Sequence, residues 1–333
     1  MTRVLVAGDH FVTPGLVTAA LEARRGRLGE LDVRTHLGPW PRTPFGPVGE
    51  VDEASDIEDE LISRLPGVEV LITQMAPLTE RVLAAADDLR LVIVTRGGPV
   101  NVNSDAAQAR GIEIKSTPGR NAPAAAEHTI ALLLAAMRAI PSTHASVLAG
   151  QWRSDLYALD EVGSELGGAT VGLIGYGAIG RQVARILRAF GATVLIHDPY
   201  ADPATLDGTE PVTLEEILHR SDVISLHARL TPETRGMIGA KEIARMRPGA
   251  VLVNSARGGL LDYDAVADAL HTRHLRAAAF DVFDVEPLPA GSPLRSAPNV
   301  VLTPHLAGAT VQTAERAAHQ AADLLEEWLS ARA

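Results

Sequence analysis

The stretch that most constrains the fold of this chain is residues 170–180, which read Thr-Val-Gly-Leu-Ile-Gly-Tyr-Gly-Ala-Ile-Gly. An apolar, β-branched segment leads into a turn in which Gly175, Gly177 and Gly180 fit the pattern Gly-x-Gly-x-x-Gly. The first glycine of such a turn permits tight curvature, the second lets a pyrophosphate approach the backbone, and the third lets a helix pack closely on the strand. The stretch therefore predicts a strand, a turn and a helix around a bound dinucleotide, with a glycine-rich turn that only packs tightly as the alternative.

The residues that follow the turn favour dinucleotide binding over that alternative. Arg181 to Phe190 have helical periodicity, and the apolar strand from Thr193 ends at Asp198, 18 residues beyond Gly180. The phosphates are expected at the N-terminus of the helix, where free N–H groups and the helix dipole favour an anion. The Asp198 carboxylate can accept hydrogen bonds from both hydroxyls of an adenosine ribose and would repel a 2′-phosphate, so NAD is favoured over NADP.

Length and composition limit the classes of protein to consider. The chain has 333 residues, 46% hydrophobic and 21% charged, which predicts two α/β domains that each bury a core. A formal net charge of −11 without a basic stripe argues against nucleic acid or an anionic membrane as a partner. The absence of cysteine excludes a disulfide framework, thiolate catalysis and cysteine-ligated zinc. The N-terminal residues resemble a short strand rather than a signal peptide, so a cytoplasmic location is expected.

The part of the chain before the glycine turn predicts a small parallel sheet wrapped by helices. Its expected strands are short runs rich in Val, Ile and Leu: Arg3–Ala7, Leu31–Leu37, Val68–Thr73, Leu89–Thr95 and Ile112–Ser116. Between them, helices are expected to begin near Pro14, Ser55, Thr79 and Ser104. Residues 38–49 contain four prolines and three glycines, which predicts an irregular loop.

The second half of the chain predicts another complete doubly wound sheet. A long helix is expected from Pro123 to about Ala139, and the crossing between domains is placed there. Beyond the glycine turn, strands are expected at Val194–His197, Val223–His227, Ala250–Asn254, Ala278–Phe283 and Asn299–Thr303. A last helix from Thr310 to Leu329 has apolar residues at helical spacing and can fold back onto the first domain.

Three polar residues lie where downstream strands should end. Arg257 follows Val253-Asn-Ser-Ala, Glu286 follows Phe280-Asp-Val-Phe-Asp-Val, and His305 follows Thr-Pro. Ligands of open α/β sheets bind outside the carboxyl ends of the strands. An arginine can clamp a carboxylate, a histidine can exchange a proton with a hydroxyl or carbonyl, and a glutamate can raise the pKa of that histidine and orient it. Singly, each is more often a surface charge or a structural histidine; together they predict an oxidoreductase site above a nicotinamide.

In these motifs, and in the run Ser225-Leu-His-Ala-Arg-Leu-Thr-Pro-Glu-Thr, the chain resembles the D-isomer-specific 2-hydroxyacid dehydrogenases, in particular phosphoglycerate dehydrogenase-like and hydroxypyruvate reductase-like members. The motifs stand in the family's order and cover nearly the whole chain. The resemblance implies an α/β fold with two doubly wound parallel-sheet domains. Residues 121–304 would form a central Rossmann domain that binds NAD, and residues 1–120 and 305–333 a flavodoxin-like substrate domain completed by the C-terminal helix. It also implies a homodimer.

The resemblance further implies the roles of individual residues. Arg257 would clamp the substrate carboxylate, His305 would be the general acid/base, and Glu286 would be its partner. The implied cofactor contacts are Gly175, Gly177, Ala178, Ile179, Gly180, Asp198, Ala228, Thr234, Ser255, Ala256, Asp281 and His305. Among these, Asp281 matches the acidic residue near the nicotinamide amide. Arg229 replaces the proline with which the family lines the adenine pocket, and its positive charge weakens the preference for NAD over NADP.

A second family signature is the glycine loop after the fourth expected strand, Thr95-Arg-Gly-Gly-Pro-Val-Asn. The N–H groups around Gly97 and Gly98 would hold the substrate carboxylate as an anion nest, with Arg257 and His305 as the other substrate contacts. Pro99 departs from the family's usual Gly-Val-Asp-Asn run. Arg96 stands where phosphoglycerate dehydrogenases hold a phosphate, which favours a phosphorylated or doubly anionic substrate.

Several alternatives stay open from the sequence. A formate dehydrogenase-like enzyme is disfavoured because such enzymes typically carry Gln where Glu286 stands. An NAD(H)-sensing, co-repressor-like binding protein with little turnover could keep the same triad. L-specific lactate or malate dehydrogenases are disfavoured because their glycine turn lies at the start of the chain, whereas here it follows a whole predicted domain. No metal is predicted, since neither the His271 and His274 pair nor Glu127-His128 has further ligands at suitable spacing.

Overall fold

The computed structural model describes residues 1–40 and 44–332, which form two compact units. Unit 1 is Met1–Asn121 with Ala309–Ala333, and unit 2 is Ala122–Gly308. Residues 41–43 of the predicted loop over 38–49 lie outside the described residues. The sequence predicts the return to the first domain at residue 305. In the structure unit 1 resumes at Ala309, so His305 lies in unit 2.

The described residues contain twelve strands and twelve α-helices. The strands are β1 Thr2–Gly8, β2 Leu31–Leu37, β3 Val70–Thr73, β4 Leu91–Val94, β5 Glu113–Ser116, β6 Thr170–Ile174, β7 Thr193–His197, β8 Glu210–Pro211, β9 Val223–Leu226, β10 Ala250–Asn254, β11 Leu275–Phe280 and β12 Val300–Leu302. The helices are α1 Pro14–Glu22, α2 Arg25–Leu28, α3 Glu58–Arg64, α4 Glu80–Ala84, α5 Ser104–Ala109, α6 Ala122–Met137, α7 Ile140–Leu148, α8 Ala178–Ala189, α9 Leu214–Arg220, α10 Ala240–Arg245, α11 Tyr263–His271 and α12 Val311–Ser330.

Unit 1 is built on a five-stranded parallel sheet in the order β2-β1-β3-β4-β5. This is the flavodoxin-like order, which places ligands beyond the carboxyl ends of the strands. The helix α12 covers one face of the sheet together with α1, through a stripe of buried small and apolar residues: Ala314, Ala317, Ala318, Ala321, Ala322, Leu325 and Trp328. Its start is fixed by Thr310, whose hydroxyl accepts a hydrogen bond from the backbone N–H of Thr313 at 3.1 Å.

Unit 2 is built on a seven-stranded parallel sheet in the order β12-β11-β10-β9-β6-β7-β8. Counted from β6, this is the Rossmann order 3-2-1-4-5-6 with one further strand. The point where the order reverses lies between β6 and β9, the two strands that lead into the glycine turn and into His227. The predicted fold class, two doubly wound parallel-sheet domains, is therefore confirmed.

The structure departs from the sequence prediction at three elements of unit 2, of which the first is β8, a short strand that was not predicted. The helix predicted to reach Ala139 ends at Met137, and Ala139 adopts a left-handed backbone with φ of 49° before α7 begins. Pro141 accounts for the break, because its ring would clash with the carbonyl four residues earlier in a continuous helix. The strand predicted over Ala278–Phe283 instead spans Leu275–Phe280, since pairing with β10 and β12 stops at Phe280 and the following residues form a loop.

No single helix in the described residues is long and apolar enough to cross a membrane. The pair α6 and α7 passes such a test together by length and composition, with a bend of 63° between them. Most of α6 is buried within unit 2, whereas α7 contributes no buried residue.

Candidate active site

The glycine turn between β6 and α8 uses its three glycines in different ways. Gly175 has a φ of 101°, and a Cβ added to it would lie 2.5 Å from the carbonyl carbon of His227. Gly180 could not carry a Cβ without meeting the carbonyl oxygen of Gly175. At Gly177, by contrast, a Cβ would meet nothing within 4 Å. Packing thus requires glycine at the first and third positions, while the second is left open for a ligand that approaches the backbone.

Next to this turn, the end of β7 provides an acidic group. Asp198 Oδ2 accepts a hydrogen bond from the backbone N–H of Tyr176 at 2.7 Å, and its Oδ1 accepts one from Tyr200 at 2.9 Å. Each carboxylate oxygen keeps a second lone pair, so the carboxylate can still accept two hydrogen bonds, one from each of two ribose hydroxyls. The helix α8 begins with Gly177 as its N-cap residue, which has no side chain to occupy the free N–H groups. The residues at this edge therefore fit an adenosine diphosphate.

The turn after β9 lies directly against the glycine turn. The backbone N–H of Ala228 is within 2.6 Å of the position that a Gly175 Cβ would occupy. Burial lowers the pKa of His227 to about 4, so its imidazole is neutral at physiological pH. Thr234 Oγ1 donates to the carbonyl oxygen of Arg229 at 2.6 Å and closes the turn. The predicted contacts Ala228 and Thr234 thus belong to one folded segment that also presents Arg229.

At the end of β12, His305 and Glu286 form the pair predicted from the sequence. His305 Nδ1 lies 2.9 Å from Glu286 Oε2, and Glu286 Oε1 accepts from the backbone N–H of Phe283 at 2.9 Å. The hydrogen bond from Glu286 raises the pKa of His305 above its usual value, although burial acts in the opposite direction. The side chain of His305 keeps 45% of its exposure, and its backbone is left-handed with a φ of 57°. The imidazole is therefore held in one orientation by Glu286, with its other nitrogen accessible.

Asp281 organises the loop that carries His305. Its carboxylate, fully buried, accepts hydrogen bonds from Thr303 Oγ1 at 2.5 Å and from the backbone N–H groups of Leu306 and Ala307, both at 2.8 Å. Burial alone would raise the pKa of Asp281, but these bonds and one with His128 outweigh it, and the pKa lies below its usual value. His128 Nε2, on α6, is 3.1 Å from Thr303 Oγ1 and 3.4 Å from Asp281 Oδ1. An ionised Asp281 thus fixes both ends of the His305 loop.

Arg257 is exposed at the end of β10, and the turn that carries it is held by buried groups. Asn254, fully buried, donates to the carbonyl oxygen of Arg257 at 2.9 Å and accepts from the N–H of Ala256 at 3.0 Å. Tyr263 donates to the carbonyl oxygen of Val282 at 2.6 Å and so joins this turn to the segment after β11. The positive charge of Arg257 is close enough to lower the pKa of His305. Arg257, Glu286 and His305 are therefore brought to one edge of the sheet.

Two further features complete this edge of unit 2. A Cβ on Gly258 would collide with the backbone of Phe283 and Asp284, so the Arg257 turn and the Glu286 loop touch backbone to backbone. Ser255 Oγ lies 2.6 Å from Thr129 Oγ1 on α6, which leaves mainly its backbone for a ligand.

In unit 1, the predicted substrate loop follows β4. A Cβ at Gly97 or Gly98 would meet nothing within 4 Å, and neither has a positive φ. Glycine is therefore not required there by packing or backbone strain in unit 1. Arg96 is paired with the Glu53 carboxylate and donates to the Glu53 carbonyl oxygen at 3.3 Å. The predicted phosphate contact is thus already engaged by a carboxylate.

Sequence reasoning missed the residues that support the site from a distance in the chain. These are His128, Asn254, Gly258, Tyr263 and Thr303. The sequence pattern raised His128 only as a metal ligand that lacked partners. Asn254 and Gly258 lie close to Arg257 in the sequence. The available signal was Asn254, a polar residue at the end of an otherwise apolar strand. Nothing in the sequence indicated that Tyr263 and His128 reach the segments after β11 and β12.

Comparison with known proteins agrees with this geometry. Residues 130–307 match the family model described as D-isomer specific 2-hydroxyacid dehydrogenase, NAD binding domain. The D-3-phosphoglycerate dehydrogenase of Mycobacterium bovis is 42% identical over 268 residues, covering 80% of this chain and 50% of that protein. The hydroxypyruvate reductase of Thermotoga maritima is 37% identical, covering 78% of this chain and 84% of that protein. The chain thus spans about half the length of the phosphoglycerate dehydrogenases that it matches.

The fold comparison extends over the whole chain. The crystal structure of the TT0316 protein from Thermus thermophilus aligns with a TM-score of 0.80 and 36% identity, covering 99% of this chain and 97% of that one. The glycine turn, the acidic end of β7 and the Arg257, Glu286 and His305 edge all lie within or at the border of the matched NAD-binding segment. The chain belongs to the D-isomer-specific 2-hydroxyacid dehydrogenase family and contains its NAD-binding domain.

Proposed function

We propose that this protein reduces 2-oxo acids to D-2-hydroxy acids, and catalyses the reverse oxidation, with NAD as its redox partner. When bound, NADH supplies a hydride from carbon 4 of its nicotinamide ring to carbon 2 of the oxo acid. The observation that carries the proposal is the His305–Glu286 hydrogen bond of 2.9 Å beside Arg257. It provides a proton donor at the edge of the Rossmann sheet where a nicotinamide is expected.

Each residue of the triad has a distinct task in this proposal. His305, whose pKa is raised by Glu286, is protonated over a wider pH range and donates its proton to the carbonyl oxygen during reduction. In the oxidising direction the same nitrogen accepts the hydroxyl proton. Arg257 neutralises the substrate carboxylate with a planar pair of N–H donors and stabilises the charge that develops on the carbonyl oxygen.

Unit 1 is proposed to supply the substrate domain. The open backbone at Gly97 and Gly98 supports a carboxylate nest. Packing would allow a side chain at either position, yet both residues are glycines, which leaves their N–H groups accessible. Contact between Arg96 and a substrate phosphate remains a prediction, and the pairing of Arg96 with Glu53 counts against it.

Cofactor binding is proposed to involve the remaining predicted contacts. Gly177 and the N-terminus of α8, with Ala178, Ile179 and Gly180, would hold the pyrophosphate, and Asp198 the adenosine ribose. Ala228, Thr234, Ser255, Ala256 and Asp281 remain predicted contacts. Both oxygens of Asp281 serve the His305 loop, so only a spare lone pair is left for a nicotinamide amide. NADH is expected to bind more tightly than NADPH, which a fluorescence titration with each would measure.

The decisive experiment is NADH oxidation against a panel of 2-oxo acids by the wild type and a His305→Asn variant. Loss of one positioned acid/base is expected to lower kcat by roughly 10²- to 10⁴-fold while NADH binding is kept. Unchanged turnover in the variant would refute the role of His305. A wild type that binds NADH without turning over any acid of the panel would favour an NAD(H)-sensing binding protein instead.

We also propose that the protein is a cytoplasmic homodimer that associates through unit 2. Support for the dimer comes from apolar side chains that are largely exposed in α7 and in the segment between α7 and β6: Ile140, Val147, Leu148, Trp152, Tyr157 and Leu159. Several exposed apolar side chains within one segment are typical of a protein interface. A Trp152→Ser, Leu159→Ser double variant is expected to be monomeric in analytical ultracentrifugation, and an unchanged mass would contradict this interface. The location rests on the cysteine-free composition and would be tested by cell fractionation.

A further inference from the structure

Three charged side chains of unit 1 follow strands of its parallel sheet. Asp9 comes directly after β1, Arg96 two residues after β4, and Arg120 four residues after β5. The carboxyl ends of β1, β3, β4 and β5 form one continuous edge, so these residues lie on the side of the sheet where ligands bind.

Arg120 is the most constrained of the three. Its guanidinium carbon lies 5.8 Å from the centre of the Phe11 ring, and its carbonyl oxygen accepts from Arg316 Nε at 2.7 Å. Burial, together with the nearby charge of Arg96, lowers the pKa of Arg120 to about 10, so it stays charged at neutral pH. Its Nη1 atom is buried and hydrogen-bonds to no group in the described part of the chain. A buried charged donor without a partner is costly, which points to a ligand that completes it.

Asp9 presents the matching acceptor. The residue is only 3% exposed, and its Oδ1 accepts from the backbone N–H groups of Phe11 at 2.8 Å and Val12 at 2.9 Å. Its Oδ2 is buried and, over residues 1–40 and 44–332, has no hydrogen-bond partner. The charge of Arg120 reaches Asp9, and Phe11 joins them by packing against one and hydrogen-bonding to the other. A buried donor and a buried acceptor thus lie close enough to interact electrostatically and contact the same residue, Phe11, and each has one free position.

Charge distinguishes what this pair can hold. Arg96 is neutralised by Glu53, and Arg120 is opposed by Asp9, so the four groups sum to zero when all are ionised. A phosphate offers only acceptor oxygens and a double negative charge, and an ionised Asp9 would repel it. A hydroxyl can accept from an arginine and donate to a carboxylate at the same time.

We infer that Asp9 and Arg120 form a subsite for a hydroxyl group on the tail of the substrate, so that the protein prefers a hydroxylated, non-phosphorylated 2-oxo acid. The hydroxyl oxygen accepts from Arg120 Nη1, and the hydroxyl proton is donated to Asp9 Oδ2. This inference rests on the proposed function and specifies its substrate class.

The test compares three 2-oxo acids that differ at carbon 3: pyruvate, hydroxypyruvate and phosphohydroxypyruvate. The wild type is expected to prefer hydroxypyruvate. In Arg120→Gln and in the milder Asp9→Asn variant, the ratio of kcat/KM for hydroxypyruvate to that for pyruvate is expected to fall roughly 10- to 100-fold, as for loss of a buried hydrogen bond. The values for pyruvate should stay within about threefold, and Arg34→Gln, an exposed arginine on β2, is the matched control.

A second readout does not depend on turnover. With NADH present, D-glycerate is expected to raise the Tm of the wild type more than D-lactate does, and Arg120→Gln should abolish the difference. A wild type that shows this difference without reducing any oxo acid would refute the proposed activity and keep the subsite. The inference is overturned if the ratio of kcat/KM for hydroxypyruvate to that for pyruvate is unchanged in both variants, as expected for a site filled by water. It is also overturned if kcat/KM falls equally for all three substrates. The third contrary outcome is that phosphohydroxypyruvate is the preferred substrate and Arg120→Gln removes that preference.

Discussion

At the residue scale, the three glycines of one motif are required for different physical reasons. Any other residue at position 175 would have to adopt a φ of 101°, and its Cβ would lie 2.5 Å from the His227 backbone. A Cβ at Gly177 would meet no other atom within 4 Å. Gly175→Ala is therefore expected to destabilise the protein by more than about 1 kcal/mol, because both the conformation and the packing are incompatible. Gly177→Ala should leave the Tm nearly unchanged but weaken NADH binding.

Thermal unfolding with and without NADH measures both effects. Gly175→Ala and Gly177→Ala make the same substitution at two positions of one turn, so each variant is a control for the other. Equal loss of stability in both would show that Gly177 is required by the fold rather than by the cofactor.

Glu286 acts on His305 through its charge as well as its geometry. Because Glu286 raises the pKa of His305, Glu286→Gln should lower it while the amide oxygen can still accept from the Phe283 N–H. Reduction needs the protonated imidazole, so its kcat/KM should begin to fall at lower pH than in the wild type. Oxidation needs the neutral imidazole, so it should extend to lower pH. Superimposable pH–rate profiles in both directions would contradict the pair.

At the element scale, the loop after β12 depends on a carboxylate from β11. Asp281→Asn replaces an acceptor by an amide donor opposite N–H groups, which should cost about 1–3 kcal/mol in the free energy of unfolding and lower kcat by displacing His305. The pKa of Asp281 is lowered in the folded state, so its contribution is present above an unfolded pKa of about 4 and is lost as pH falls through the lower folded value.

Denaturant unfolding from neutral to acid pH checks this prediction. The difference between wild type and Asp281→Asn should be greatest near neutrality and shrink below about pH 4. Asp264→Asn, in the first turn of α11, is a suitable control because its carboxylate lies at the surface. A difference independent of pH would mean that the carboxylate charge plays no part.

The existence and order of the elements could be predicted well because hydrophobic pattern and turn residues are local signals. The β10 prediction, Ala250–Asn254, matched residue for residue, and Thr310 marked the start of α12. The end of β11 could not be predicted, since Val282 and Phe283 continue the apolar pattern past Asp281 although they lie outside the strand. Only the pairing partners decide where that strand stops.

At the scale of the whole molecule, each unit has hydrophobic clusters of its own. The clusters of unit 2 lie within residues 126–302, and those of unit 1 within residues 4–114 and 314–329. We therefore expect a fragment of residues 122–308 to fold and bind NADH with an affinity within about tenfold of the full chain. Circular dichroism and an NADH titration would test this. An unfolded fragment would show that unit 2 needs the rest of the chain.

How much of the site could be predicted follows the same division. Arg257, Glu286 and His305 could be singled out because each follows the end of a strand within six residues. The engagement of Arg96 by Glu53 was not, since the partners are 43 residues apart and nothing local links them. The same holds for Asp9 and Arg120, which are far apart in the sequence and interact electrostatically only in the folded unit.

The contact of Gly258 with the Phe283 backbone has a consequence for how such a protein can change over evolution. Because the turn that bears Arg257 and the loop that bears Glu286 are in backbone contact at this point, neither can shift without the other. A side chain introduced at Gly258 would therefore have to move both segments at once. The relative position of Arg257 and Glu286 is thereby protected from gradual change, because no single substitution at Gly258 can alter one segment and leave the other in place.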